Sequence, residues 1–259
     1  MGLGVSDAQP ITLRKSKKSK VFKNTLLVNL FLSMLILFGV LMTPIFAVKQ
    51  ILVNGITHLS NEKIVDTSNI KVSSNIFLFR TSTAEQLVSN LSFVKKVEIK
   101  RSFPDSVVIN IIECKPVAQV QCSQNLFLAV DIEGKILDSA SDKTKYQVPT
   151  ILNIPVNQFE VAKPLATEES AQFETLLAVS GILLENELSD RVENVLIEDG
   201  NTKIKFIDNI TCDIGKDKND SYRIKFIKEV IDKIPEGKTG VVEFIDEYKA
   251  VFKPYEKQK

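Results

Sequence analysis

From Thr25 to Ala47 the chain reads TLLVNLFLSMLILFGVLMTPIFA, and no charged residue stands between Lys23 and Lys49. As an α-helix rising about 1.5 Å per residue, this run reaches roughly 35 Å, enough for a hydrocarbon layer of about 30 Å. A buried core helix is a poor match, because uncharged apolar runs in soluble cores usually stop near about 14 residues. A cleaved signal peptide is the better rival, with an apolar region of about 7–15 residues that ends on a small-x-small site. Here the run is longer and closes on Pro44-Ile45-Phe46-Ala47, with Ile45 where a small residue is wanted. Asn29 suits headgroup depth, and Pro44 falls in the last turn, where a missing N–H costs least. Residues 25–47 therefore read as an uncleaved transmembrane signal anchor.

Charge gives the anchor a direction. The whole chain carries 33 Lys+Arg and 32 Asp+Glu, a formal charge of +1. That total hides two unlike parts. Residues 1–48 hold six basic residues, Arg14, Lys15, Lys17, Lys18, Lys20 and Lys23, and one acid, Asp7, for a segment charge of +5; the other 211 residues stand at −4. By the positive-inside rule the basic tail, residues 1–24, stays in the cytoplasm and the bulk of the chain crosses, a single-pass type II arrangement in the cell membrane. The same cluster suits anionic lipid, so the bilayer is an expected partner. A net-negative exported part gives nucleic acid no electrostatic foothold.

Beyond the anchor the pattern is mixed. Gln50–Val53 is a short β-type run closed by the Asn54-Gly55 turn signal. Ser60 is an N-cap candidate for a short helix through Ile64 and Val65, with Lys63 where the reciprocal Glu of a capping box would sit. A second helix begins at Thr83-Ala84-Glu85-Gln86, with Ala84, Leu87, Val88 and Leu91 at helical spacing. Val97 and Ile99 alternate with charges, Phe103-Pro104-Asp105-Ser106 turns the chain, and Val107–Ile112 forms the next strand. The order β-α-α-β-β predicts an antiparallel pair from the last two strands, with the helices over one face. Strand signals follow at Val117–Gln121, Leu126–Asp131, Lys135–Leu137 and Val148–Ile154. A helix opening at Thr167 or Ser170 carries Phe173, Leu176, Leu177, Leu183, Leu184 and Leu188. Val192–Ile197 and Lys203–Ile207 read as a hairpin around Asp199-Gly200-Asn201. A last helix over 221–233 carries Phe226, Ile227, Val230, Ile231 and Ile234, with Lys225/Glu229 and Lys228/Asp232 as i, i+4 pairs. Val241–Ile245 and Ala250–Phe252 are strand-like. The fold class expected is α+β: one transmembrane helix, a β-α-α-β-β domain and a β-rich domain with two amphipathic helices.

Certain stretches resemble a known family. Val48-Lys49-Gln50-Ile51-Leu52-Val53-Asn54-Gly55, just outside the anchor, is similar to the opening of a POTRA domain. Val94-Lys95-Lys96-Val97-Glu98-Ile99-Lys100-Arg101-Ser102-Phe103-Pro104-Asp105-Ser106 continues it, and Val107–Glu113 with Lys115-Pro116-Val117-Ala118 closes it. Together with Asp131–Leu137, these resemble the FtsQ/DivIB cell-division proteins of bacteria. The likeness is specific over about 48–138 and concerns only the order of parts after that. It implies a POTRA domain over 48–115, a β-rich domain over 116–254 and a short tail, 255–259. It also implies a non-enzymatic scaffold at the division septum, without cofactor, metal or small-molecule substrate. The implied partners are membrane-anchored division proteins of FtsL and FtsB/DivIC type. They would dock along the final strand of the β domain, here matched by Val241, Val242, Glu243, Phe244 and Ile245, with Ala250, Val251 and Phe252 following. The turn between those segments is shorter than the family's pattern, and no long tail follows. Independently, a terminal strand offers unpaired N–H and C=O groups to β-augmentation, while the blander reading is an internal strand. Phe244→Pro is expected to remove a ladder donor and weaken partner capture.

Few residues could carry chemistry instead. His58, the one histidine, reads as a solvated loop residue with no acidic neighbour in sequence. Cys114, Cys122 and Cys212 all fall in the exported part, where cysteines tend to pair. A Cys114–Cys122 bridge is sterically possible, and buried free thiols are the alternative. An anchored Cys/His/Arg transpeptidase of sortase type would use Cys212, His58 and Arg191 or Arg223, but Asp208-Asn209-Ile210-Thr211-Cys212 lacks that class's Thr-Leu-x-Thr-Cys signature. A POTRA-bearing assembly factor would need a large C-terminal barrel, for which the remaining chain is too short and too helical.

Overall fold

The apolar run folds as helix α1 (Lys18–Leu41) in a computed structural model that describes residues 18–216, 220–235, 237–246 and 249–255. Of the basic cluster, Arg14, Lys15 and Lys17 lie outside the described residues, and Lys18, Lys20 and Lys23 are described by their helical backbone alone. The stretch Asn24–Leu41 has a mean hydropathy of 2.1 and none of its 18 residues is buried. A core helix would hide one face, so this all-round apolar exposure is consistent with a membrane anchor. The helix ends earlier than the expected 47. Pro44 opens a single 3-10 turn (Pro44–Phe46), and the Asn75 side chain donates to the Leu41 carbonyl at 2.7 Å. Ala47 then bridges Asn75 and Val48 is fully buried, so residues 44–48 already belong to the next domain.

That domain runs β1 (Gln50–Asn54), α2 (Asn61–Ser68), α3 (Thr81–Ser89), β2 (Val94–Ser102) and β3 (Ser106–Glu113). Its sheet has the order β1-β3-β2, with β3 parallel to β1 and antiparallel to β2. The expected order and the antiparallel final pair are both present. Alternation makes β3 the central strand: Val107, Ile109 and Ile111 are buried with Ile64, Ala84, Val88 and Ile99 under the helices. Ser60 caps α2 as expected, its hydroxyl accepting from Lys63 N.

The second domain opens with β4 (Ala118–Ser123), β5 (Leu126–Val130), β6 (Ile136–Ala140) and β7 (Thr150–Ile151). It continues through α4 (Ser170–Glu185), β8 (Val192–Glu198), β9 (Asn201–Phe206), β10 (Ile210–Gly215), α5 (Asp220–Ile231), β11 (Gly240–Asp246) and β12 (Lys249–Pro254). One nine-stranded sheet has the order β12-β11-β10-β9-β8-β7-β4-β5-β6. Along β9, Thr202, Ile204 and Phe206 are buried while Lys203 and Lys205 face away, the period-2 signature of a sheet packed on one side. The β8–β9 turn, Asp199-Gly200, has φ +53° and +77°, the geometry that Asp-Gly hairpins adopt. The core combines α4 residues Phe173, Leu176, Val179 and Leu183 with α5 residues Ile224, Ile227 and Ile231 over the sheet.

Three local expectations differ. Leu184 is 36% exposed, whereas Ser180 and Gly181 face inward, and Ile132 lies close against Gly181. Lys228 and Asp232 do not pair with each other: Asp232 meets Arg191 at 2.7 Å and Lys228 meets Glu187 at 3.8 Å. Strand β10 is present where no strand is expected, with Ile210, Cys212 and Ile214 alternating inward along it.

The two domains meet at the β5–β6 end of the large sheet. Lys135 Nζ donates to the Leu91 and Val94 carbonyls at 3.2 and 3.0 Å, and Cys114 N donates to Phe93 O at 2.7 Å. Phe93, Cys114 and Leu137 close a small apolar cluster there.

Candidate functional site

At the opposite end of that sheet, β12 is the terminal strand. It pairs antiparallel with β11 in the register Val241↔Lys253, Val242↔Phe252, Glu243↔Val251 and Phe244↔Ala250. Among the described residues, no strand pairs with its other side. Tyr255 N donates inward to Thr239 O at 2.9 Å. Backbone N–H groups alternate along an antiparallel strand, so Lys253 and Val251 also point inward while Phe252 and Ala250 present N–H and C=O outward. Pro254 occupies the next outward position, where its lack of an N–H costs no ladder bond.

The predicted site residues thus divide between two strands. Val241, Val242, Glu243, Phe244 and Ile245 lie in β11, which is paired on both sides, with β10 in parallel and with β12. Ala250, Val251 and Phe252 lie in the outermost strand. Ala250, Phe252 and Phe244 pack against the main core, with the Phe244 ring 6.0 Å from Phe226 and under the Arg223 guanidinium at 5.5 Å. That packing holds β12 in register without a strand outside it. On the opposite face Glu243 and Lys253 pair at 2.5 Å, and Ile245 is exposed. Lys249 is exposed at the start of this strand, and Lys253 is held by Glu243.

Two of the other sheet edges are partly capped, while β1 is a further edge with no strand on its outer side among the described residues. Beside β6, Ile136 N donates to Lys163 O at 2.9 Å and Ala162 N to Ile136 O at 2.8 Å. Beside β2, Ile99 N donates to the Glu85 carboxylate at 2.8 Å. Edge capping of this kind prevents unwanted pairing, and β12 shares its absence with β1 among the described residues.

The residues considered for catalysis are dispersed. Cys212 sits mid-strand in β10, fully buried, and burial pushes its thiol up to about 12. A nucleophilic cysteine needs the reverse, an exposed thiolate in a positive setting. Burial and then the Asp131 carboxylate push Cys114 up to about 11. All three cysteines are free, so Cys114 and Cys122 are not bridged. Among the described residues, no group of three or more His, Cys, Asp or Glu side chains is placed to hold a metal ion.

His58 is an exposed loop residue, as expected, yet its ring has partners. Its ring stacks on Phe93 at 4.7 Å, and Nδ1 lies 2.9 Å from the Glu113 carboxylate. The backbone N–H groups of His58 and Leu59 donate to the same carboxylate at 2.9 and 3.1 Å. Burial alone would raise the Glu113 pKa, but these donors outweigh it and hold the carboxyl below its ordinary value. The pair locks the loop after β1 to the end of β3, beside a cleft of about 730 Å³ that Tyr146 also lines. The residues are 55 apart in sequence, so no local pattern announces them.

Residues 46–113 match the family described as POTRA domain, FtsQ-type, a range that begins where Phe46 O accepts from Ile76 N. The cell division protein DivIB of Clostridium botulinum (strain Hall) is 23% identical over 178 residues, covering 69% of each chain. DivIB of Clostridium tetani is 22% identical over 205 residues, 76% of this chain and 77% of that one. DivIB of Bacillus subtilis (strain 168) is 29% identical over 128 residues, 48% of each. The cell division protein FtsQ of Geotalea daltonii is 22% identical over 134 residues, 52% of this chain and 47% of that one.

Proposed function

On the premise that this chain belongs to the FtsQ/DivIB family of cell-division proteins, we propose that it is a non-enzymatic scaffold of the division complex. A role in cell division follows from the family. In the proposed scaffold, the membrane-proximal domain and span tether the β domain at the septum, in the type II orientation. The β12 edge then captures membrane-anchored partners of FtsL and FtsB/DivIC type by strand addition. The observation that carries this reading is the unpaired outer side of β12, with the N–H groups of Ala250 and Phe252 aimed away from the sheet. A thiol-dependent transpeptidase fits poorly, because Cys212 is sealed in the core.

Phe244→Pro is a blunt test, since Phe244 lies inside the ladder opposite Ala250. Ala250→Pro is sharper. Its ring would replace an outward N–H and stand in the path of an incoming strand while sparing the inner bonds. Membranes carrying Ala250→Pro are expected to lose recovery of the FtsL- and DivIC-type partners, with far-UV circular dichroism and the melting profile close to wild type. A photocrosslinker scan over 249–255 should capture those same partners. Full recovery with Ala250→Pro in a folded protein would overturn the edge reading; capture of peptidoglycan substrates alone would overturn the scaffold reading.

A further inference from the structure

The membrane-proximal domain carries an apolar surface that its own fold does not use. Phe46, Phe77 and Phe103 form a continuous row, with ring centroids 5.3 Å apart at each step. Beside them Ile45, Leu78 and Phe103 are 61%, 69% and 58% exposed. Val72 is exposed next to the turn that hydrogen-bonds Val48. Soluble surfaces rarely gather so many large apolar side chains without an occupant.

The position of this row identifies the occupant. The loop bearing Phe77 and Leu78 is fastened to the last turn of α1: Asn75 Nδ2 donates to Leu41 O at 2.7 Å, and Asn75 bridges Ala47. The same Asn75 side chain accepts from Phe77 N at 2.9 Å, which orders the loop tip. Arg101 donates to the Ile76 carbonyl at 2.7 Å and also to that of Phe79, and Lys49 pairs with Asp105 at 2.8 Å. Three chain segments, 44–49, 75–79 and 101–105, are thereby held as one rigid platform where the span ends. Only Met42 and Thr43 separate α1 from the turn that begins this platform. A surface so close to the end of a membrane span faces the boundary between headgroups and acyl chains. Lys71 and Arg80 stand exposed beside the row, as cations do at headgroup level.

We propose that Ile45, Phe77, Leu78 and Phe103 form a foot that seats this domain in the extracytoplasmic leaflet of the bilayer. The lipid headgroup–acyl boundary is its occupant. The foot rests on the reading of α1 as a membrane span, and it fixes how the domain is oriented above the membrane. A domain so seated cannot swing freely on its anchor, and the β domain that it carries is aimed with it.

The chain contains no tryptophan, so single Trp reporters are unambiguous. Leu78→Trp and Phe103→Trp place reporters on the foot at exposed positions that tolerate a larger ring. Phe38→Trp reports on the span, and Tyr255→Trp on the far end of the large sheet. The full chain is reconstituted in phosphatidylethanolamine–phosphatidylglycerol vesicles with bromines either close to the headgroup or at mid-chain. The foot reporters should emit blue-shifted, lose most of their emission to the shallow bromines and lose less to the deep ones. Phe38→Trp should be quenched by the deep bromines and Tyr255→Trp by neither. Water-like, unquenched emission from both foot reporters, with Phe38→Trp quenched, overturns the foot and leaves the span. Blue-shifted but unquenched foot reporters would mean that protein covers the face, which also overturns it. An unquenched Phe38→Trp would overturn the span and the foot together.

Discussion

Gly240 is the residue that lets β12 lie against the sheet, and Gly240→Ala should loosen that strand selectively. A Cβ built on Gly240 would stand 2.3 Å from Lys253 O, 2.8 Å from Pro254 Cα and 2.8 Å from the Phe252 ring. Two of those atoms are backbone, so no rotamer change relieves the clash. The C-terminal half of β12 must move outward, and the inward bonds of Tyr255 and Lys253 stretch or break. Two to three such bonds at a net value of about 1 kcal/mol each give about 2–3 kcal/mol of lost local stability. Because β12 ends the sheet, that loss falls on local opening rather than on global unfolding. The amides of Val251, Lys253 and Tyr255 should exchange about 30- to 140-fold faster than in the wild type, since each 1.4 kcal/mol is tenfold. Amides of β8 and β9 should keep their protection. Hydrogen exchange read by mass spectrometry resolves both, and partner capture should fall in parallel. Unchanged exchange over 249–255 would refute the packing argument, and loosened exchange with undiminished capture would refute the link between the edge and the partners.

Glu113 gives a pH signature. Its carboxyl is held below the ordinary 4.5, so it contributes stability above that pH and loses it as pH falls through the lower folded value. Acid unfolding of the wild type should show this limb below about pH 4.5, and Glu113→Gln should flatten it while costing about 1–2 kcal/mol at pH 7 in urea titrations. Arg101→Met should cost about 2–4 kcal/mol by the same assay, because two carbonyls lose a charged donor and the Phe79 ring loses its cation; Arg101→Lys should recover less than half, lacking the fork. Cys212 should resist alkylation until the protein unfolds, and Cys212→Ala should cost about 1 kcal/mol yet complement a division-defective strain. Loss of complementation by a folded Cys212→Ala protein would revive a thiol chemistry.

Local pattern carried the membrane-proximal domain because each of its elements is short and strongly marked. Ser60, the Phe103–Ser106 turn and the Val107/Ile109/Ile111 alternation each act within a few residues, and the order of elements fixed the pairing. The β domain was less legible where pairing is remote. β7 is two residues long rather than the seven suggested by Val148–Ile154, since Pro149 has no N–H to donate at one end and Asn153, at φ +63°, leaves the extended conformation just past the other. β10 is hard to see in sequence because its inward residues Ile210, Cys212 and Ile214 make sense only beside β9 and β11. The same distinction governs the candidate site. Sequence marks Val241–Ile245 and Ala250–Phe252 equally as strands; only the order β12-β11-β10 shows that the second is the outer one.

That order also separates the junction between the two domains from the open edge of the larger one. The membrane-proximal domain grips the large sheet at β5 and β6 through Lys135, while the open edge is β12, eight strand spacings away. At about 4.8 Å per spacing, the edge stands roughly 38 Å across the sheet from the junction. On the proposed docking, a partner anchored in the same membrane has to span that offset before its strand can reach β12. Its docking segment therefore has to lie well beyond its own span, not directly after it. The geometry selects against neighbours whose extracytoplasmic segment is only a few residues long, since an extended chain gains at most about 3.3–3.6 Å per residue and needs on the order of ten or more to cover the distance. Shortening the partner's connecting segment by that number should abolish capture by β12 while leaving any contact between the membrane spans intact. Capture that survives the shortening would mean that the sheet lies flat along the bilayer, with β12 brought down beside the anchor.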